Sequence, residues 1–167
     1  MKIKKIILLP TIIICMGFLA GCDLANTPTS QVEEYLSKYQ RLDKSIDINE
    51  VLLIDEEALT ENNKEEYQKL IKKQYRNLSY SVKEEEIDGN KAKVTAEITV
   101  LDYGREIRKL EEEKDLDYSK KLLENLKKVK KKVTYTIKFK VEQDKNNQWK
   151  VEPLGKEGQE KLLGIYS

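Results

Sequence analysis

The chain is predicted to be α+β, with helices packed on one face of a curved four-stranded antiparallel sheet. Three observations point there. Apolar residues recur at helical spacing through the first third, the period falls to two over 78–100, and it does so again over 133–151 after a second helical interval. Helices and hairpins come in runs, in the order αα-ββ-α-ββ, instead of alternating strictly as β-α-β units. That order favours an antiparallel sheet with one buried face and one wet face.

The first helix starts at Thr27-Pro28. Thr27 is an N-cap whose side chain accepts from orphan backbone N–H groups, and Pro28 stands at the first helical position, where its missing N–H costs nothing. Val32, Tyr35, Leu36, Tyr39 and Leu42 then make one apolar face. A short helical piece is expected from Asn49 to Leu59. Thr60 is expected to cap a second long helix with Tyr67, Leu70, Ile71, Gln74, Tyr75 and Leu78 on its inner side.

Leu78, Tyr80 and Val82 share one face of the first strand, and Asp88-Gly89 is a hairpin signal. Ala92, Val94, Ala96, Ile98 and Val100 alternate with Lys93, Thr95, Glu97 and Thr99, the pattern of a half-buried strand. A helical stretch from about Arg105 to Lys131 follows, with a break near Asp115–Asp117. The third strand turns Val133, Tyr135, Ile137, Phe139 and Val141 inward. A turn at Gln143–Gln148 leads to a fourth strand carrying Trp149 and Val151, and the tail closes with one helical turn.

The N-terminus carries a different message. Met-Lys-Ile-Lys-Lys precedes an apolar run from Ile6 to Ala20, which is a basic n-region followed by a short h-region. A membrane-spanning helix needs about 20 apolar residues, and this run is shorter and contains Pro10, so a permanent span is the lesser alternative. Leu19-Ala20-Gly21-Cys22 at its exit resembles the lipobox of bacterial lipoproteins. The resemblance implies cleavage between Gly21 and Cys22 and lipidation of the Cys22 thiol. Residues 1–21 are then a removed signal, 22–27 a short tether and 28–167 a single domain. At roughly 3.3–3.6 Å per residue, the tether to Pro28 reaches about 20 Å at most. The expected location is the outer face of the cell membrane.

A lipobox, the "NTP…V…YL..Y" helix, the "Y…I..QY..L.Y.V" helix-to-strand passage, the "DG" hairpin and the "K.VTYTI.F" strand resemble small Gram-positive lipoproteins related to the NTF2-like superfamily. The resemblance spans Asn26 to Tyr166. It implies an NTF2-like, cystatin-like cone in which a curved sheet wraps helices and can leave a pocket. It carries no catalytic signature.

Composition narrows the chemistry. The whole chain has 31 basic and 30 acidic residues; loss of Lys2, Lys4 and Lys5 with the signal leaves 28 against 30, a net charge of −2. That balance does not suggest a nucleic-acid binder. There is no histidine, which removes Ser-His and Cys-His nucleophiles and every His-based metal site. With Cys15 in the signal and Cys22 acylated, no disulfide forms in the mature chain. No Ser-x-x-Lys and no Gly-rich phosphate loop occurs. Asp144, Asn146 and Gln148 begin like a calcium loop, but Trp149 stands where the loop needs Gly and Gly155 where it needs Glu, so no metal or cofactor is expected.

Four features remain as candidates. Asp102 has the strand parity of Ile98 and Val100. In the NTF2-like resemblance it would be a general base beside a tyrosine; the favoured alternative is a cap on the following helix. Tyr35, Tyr80 and Tyr135 are core residues or the lining of a ligand pocket. Lys120, Lys121, Lys127, Lys128 and Lys131 coat a helix with a Leu122–Leu126–Val129 seam. That is a solvated surface, or a contact for anionic lipid or cell-wall polymer. The polar sheet face of Lys93, Thr95, Glu97, Thr134, Thr136 and Lys138 would suit a homodimer. The expected function is a membrane-anchored, non-catalytic module that binds an envelope protein, a cell-wall polymer or a small ligand. A small-pocket enzyme and a structural dimer are the alternatives.

Overall fold

The computed structural model describes residues 26–48, 51, 61–111 and 118–166. Gly21, Cys22, all of the 49–59 piece but Val51, the Thr60 cap and the break at 115–117 lie outside the described residues. Among the described residues nine helices and strands follow one another: α1 (Pro28–Arg41), α2 (Glu61–Arg76), β1 (Ser79–Asp88), β2 (Lys91–Leu101), α3 (Tyr103–Glu111), α4 (Tyr118–Lys128), β3 (Lys132–Gln143), β4 (Trp149–Val151) and α5 (Lys156–Leu163). The strands form one antiparallel sheet in the order β1-β2-β3-β4. The α+β architecture is the predicted one. The helical interval between the hairpins is two helices, starting at Tyr103 instead of Arg105, and the tail helix runs eight residues instead of one turn.

Period two built the sheet as expected. Ala92, Val94, Ala96, Ile98 and Val100 of β2 are all buried, opposite Val141, Phe139, Ile137, Tyr135 and Val133 of β3. Helix α1 lies across this face and touches all four strands, burying Val32 and Leu36 completely. Each fully buried side chain of this kind contributes about 1.5–3 kcal/mol. The start of α1 is a capping box: Thr27 Oγ1 accepts from Ser30 N, and Ser30 Oγ accepts from Thr27 N, both at 3.1 Å.

A second apolar cluster sits at the far end of β2. It joins Tyr67, Leu70, Ile71 and Tyr75 of α2 to Leu110 of α3, Leu122, Leu123 and Leu126 of α4, and Leu163 of α5. Gln74 of α2 is completely buried between the two clusters. Its Nε2 donates to the carbonyls of Leu101 and Leu163, and its Oε1 accepts from Leu101 N. The amide therefore substitutes for a strand partner where β2 ends.

The β1–β2 turn is Gly89-Asn90, with Asp88 paired to Lys91 and positive φ at Gly89 alone. Inside β1 the register slips between Val82 and Glu84, so Lys83 is a bulge. Beyond it the faces exchange. Glu85 stands opposite Val94 and Ile87 opposite Ala92, on the face that carries α1. Glu85 Oε2 accepts from Thr29 N at 2.8 Å and Thr29 Oγ1 at 2.7 Å, a carboxylate at the positive end of the helix. Ile87 has no such cover and is 55% exposed.

Candidate functional site

Asp102 is the residue between β2 and α3. Its Oδ1 accepts from Arg105 N at 3.2 Å, the N-cap geometry that satisfies an orphan donor of the first helical turn. Its N–H continues the sheet ladder by donating to Lys131 O at 2.9 Å, and its Oδ2 lies 3.9 Å from Lys131 Nζ. The side chain is only 12% exposed. The carboxylate is thus occupied as a helix cap between a backbone N–H and a lysine, the favoured alternative from the sequence.

The structure does not gather Tyr35, Tyr80 and Tyr135 into one pocket. Tyr80 and Tyr135 flank Ile98 in a row across three strands. Tyr80 Oη donates to Glu33 O at 3.2 Å, and Tyr135 Oη to Tyr166 O at 2.9 Å. Tyr35 instead meets Tyr39, with hydroxyls 3.2 Å apart, and packs its ring edge-on to Phe139. Burial pushes the Tyr80 and Tyr135 hydroxyls above the usual tyrosine range. Nearby Glu33 adds to this at Tyr80, and Asp102 does so at Tyr135. All three hydroxyls are used to fix the fold.

A different aromatic pair lines a cleft of about 410 Å³ between the end of α1, α2 and α5. Tyr39 and Tyr75 meet there at 5.0 Å between ring centroids, in edge-to-face contact. Desolvation raises both phenols, and at Tyr39 the hydrogen bond with Tyr35 raises it further. Both stay protonated across any working pH, so they offer neutral hydroxyls and apolar ring faces.

The lysine segment is partly spent on structure. Leu122, Leu126 and Val129 are buried as predicted, and Leu123 joins them. Lys127 pairs with Glu66 at 2.8 Å across to α2, and Lys121 is engaged as well. Lys73 of α2 donates to the carbonyls of Lys127 and Val129, holding the C-terminal end of α4, where a cation suits the helix dipole. Lys120 and Lys128 are exposed.

Around Lys128 the chain forms a cleft of about 290 Å³, lined by Asp102, Arg105, Glu106, Asn125 and Lys128 through Lys131. Its two carboxylates are already engaged, Asp102 as the cap and Glu106 with Lys109 at 2.8 Å. Arg105, Lys128 and Lys130 have no carboxylate partner among the described residues. Arg105 was not among the contacts expected from the sequence. The available signal was Arg105 three residues after a capping Asp102, which sets its backbone in the first turn beside the end of α4.

The outer sheet face is polar as predicted. Lys93, Glu97, Thr134, Thr136 and Lys138 are exposed and Thr95 is half-buried. A Thr99–Thr134 hydroxyl contact at 2.8 Å and a Lys83–Glu97 pair at 2.9 Å lace it together. Among the described residues, no group of His, Cys, Asp and Glu is placed to hold a metal ion, and no helix is long and apolar enough to cross a membrane. No protein-family model, curated protein or solved structure matches the chain.

Proposed function

We propose that the protein is an exported, lipid-anchored binding module of the cell envelope, acting without catalysis. The observation that carries this reading is Leu19-Ala20-Gly21-Cys22 at the exit of an apolar run headed by lysines. A folded domain whose first helix is capped at Thr27, five residues beyond Cys22, supports it. Two or more acyl chains on one residue hold a protein stably on a bilayer, where a single chain is marginal.

The non-catalytic half of the proposal is supported by what the polar groups already do. Asp102 caps α3, and the hydroxyls of Tyr35, Tyr80 and Tyr135 are hydrogen-bonded within the fold. A general base has to reach a substrate proton, and this carboxylate is committed elsewhere.

The test is Cys22→Ser expressed in a lipoprotein-processing host. The expected product is an uncleaved precursor with no added lipid mass. Normal cleavage and membrane retention of that variant would reject the anchor. Turnover of an envelope substrate by the intact protein, abolished by one substitution, would reject the non-catalytic reading.

A further inference from the structure

We propose that the cleft between the start of α3 and the end of α4 binds a phosphodiester polyanion, through Arg105, Lys128 and Lys130. The polymer is free of the bilayer that holds the N-terminus. The choice of that source rests on the anchored reading above; the site itself does not.

Asp102, Glu106 and four cations line the cleft, and both carboxylates are occupied by a helix cap and by Lys109. Lys131 is shared with Asp102 at 3.9 Å, but Arg105, Lys128 and Lys130 have no such partner among the described residues. Three unpaired cations around one depression repel each other, and an anion entering it relieves that repulsion. Arg105 supplies a planar fork that can engage two phosphate oxygens at once, while the lysines act as point charges. Three other lysines of this surface are engaged: Lys127 with Glu66, and Lys73 and Lys132 with backbone carbonyls.

The topology separates the cleft from the attachment point. Asn26 is fastened to the β3–β4 turn, its Nδ2 donating to Asn147 O and its Oδ1 accepting from Trp149 N. That turn lies beside the β1–β2 hairpin, since Gln143 N donates to Asn90 O. The basic cleft lies at the other end of the sheet, where Leu101 pairs with Lys132 and Asp102 with Lys131. Strand β2 spans the distance with 11 residues, roughly 34 Å at about 3.4 Å per step. The segment from Cys22 to Asn26 reaches about 14 Å at most. The surface at the hairpin end is of mixed charge, Glu86, Asp88, Glu142 and Glu152 standing beside Lys91, Lys93 and Lys140, with Lys91 paired to Glu142 at 2.8 Å, so it offers an anionic bilayer no net basic patch. A domain standing on its N-terminal end therefore presents the basic cleft away from the membrane.

The experiment measures binding of the full chain, in neutral detergent, to soluble poly(glycerol phosphate) at about 0.1 M and at about 0.3 M salt (about 10 Å down to about 6 Å screening length). The expected result is salt-sensitive binding that falls at least tenfold in Arg105→Gln/Lys128→Gln/Lys130→Gln, with a shallower salt dependence because fewer counterions are released. A charge-matched triple at the hairpin end, Lys93→Gln/Lys140→Gln/Lys145→Gln, is expected to stay within twofold. No binding by the parent chain, or equal losses in the two triples, would overturn the site. In a second arm the non-acylated chain from residue 22, carrying Cys22→Ser and so without the apolar leader of the precursor, meets phosphatidylglycerol vesicles, which carry the same phosphodiester on a surface. Vesicle binding through the same three residues that soluble polymer does not compete away would overturn the assigned source. Acylation is read separately by mass, so a failed anchor and a failed site are distinguishable.

Discussion

Gln74 and Leu101 are joined by a two-point amide contact. Gln74 Oε1 accepts from Leu101 N at 3.0 Å and Gln74 Nε2 donates to Leu101 O at 2.8 Å. The same Nε2 donates to Leu163 O, so one side chain locks the end of β2 to the end of α5 from within α2. Leaving a buried backbone group unpaired costs about 1–3 kcal/mol. Gln74→Leu strands three such groups and is expected to lose about 3 kcal/mol or more in urea unfolding. Gln74→Glu is expected to lose more, because a carboxylate cannot donate and its charge would be buried. A loss under 1 kcal/mol in both variants would mean that Leu101 and Leu163 find other partners.

Gly164 is the other side of that junction. It ends α5 with φ +69°, and a Cβ there would lie 2.0 Å from Leu101 O and 2.5 Å from Gln74 Nε2. Left-handed backbone and a backbone clash act together, so Gly164→Ala is expected to cost more than about 3 kcal/mol. Gly155 begins the same helix with φ −67° and nothing within 4 Å of its absent Cβ. Gly155→Ala should change stability by no more than about 0.5 kcal/mol, its lost unfolded-state entropy offsetting a poorer cap. Equal effects of the two alanines in denaturant melts would contradict the junction.

These residues mark the boundary of what was legible in the sequence. The inward set is a strict alternation over 91–100 in β2 and 132–141 in β3, and a one-residue slip would have turned every apolar side chain of it to water. Thr27-Pro28 was equally plain, because a cap is a local event. Gln74 could be placed on the inner side of α2, but its partners lie 27 and 89 residues away, and nothing local names them. The bulge at Lys83 has no glycine to announce it, so nothing in the strand pattern marks Glu85 as the carboxylate that seats the N-terminus of α1. The tyrosines were assigned to apolar faces correctly. Whether hydroxyls converge depends on rotamers and lateral spacing, and Ile98 stands between Tyr80 and Tyr135. The capping role of Asp102 needed only the helix to start at Tyr103, two residues earlier than the pattern implied.

The β3–β4 turn gives a pH-dependent prediction. Asp144 is held down to about 2, first by its hydrogen bond with Lys150 and then by the backbone N–H groups of Gln148 and Asn146. A folded-state value below the unfolded one near 3.8 means stabilisation that is present above that value and lost as the pH falls through about 2. In Asp144→Asn, the stability gap to the parent chain should be constant above about pH 5 and close between about pH 4 and 2. Lys150→Gln should raise the Asp144 midpoint in an NMR titration, and salt should shrink that difference because the pair is at the surface. A midpoint that ignores Lys150 would assign the depression to the backbone N–H groups alone.

The anchored form should show the polarity of the sheet directly. Cys15 leaves with the signal and Cys22 is acylated in the proposed mature chain, so one introduced thiol gives one label site. Lys145→Cys places a fluorophore on the turn that fastens Asn26, and Lys130→Cys places one beside the basic cleft. These positions are separated by about the length of β2, roughly 34 Å, against a tether reach of about 14 Å. On vesicles of neutral lipid carrying a headgroup quencher, the label at 145 should be quenched several-fold more than the label at 130. Mixing in phosphatidylglycerol tests the competing posture, since lysines near an anionic surface gain about 1 kcal/mol each and could pull the domain onto its side. The hairpin end carries mixed charge and gains little from the anionic lipid, and the tether limits how far it can retreat. The balance therefore predicts a smaller contrast between the labels on anionic vesicles, with the order preserved. Quenching at 130 equal to that at 145 on both lipids would show a domain lying flat, and the basic cleft would then belong to the bilayer it was argued to face away from.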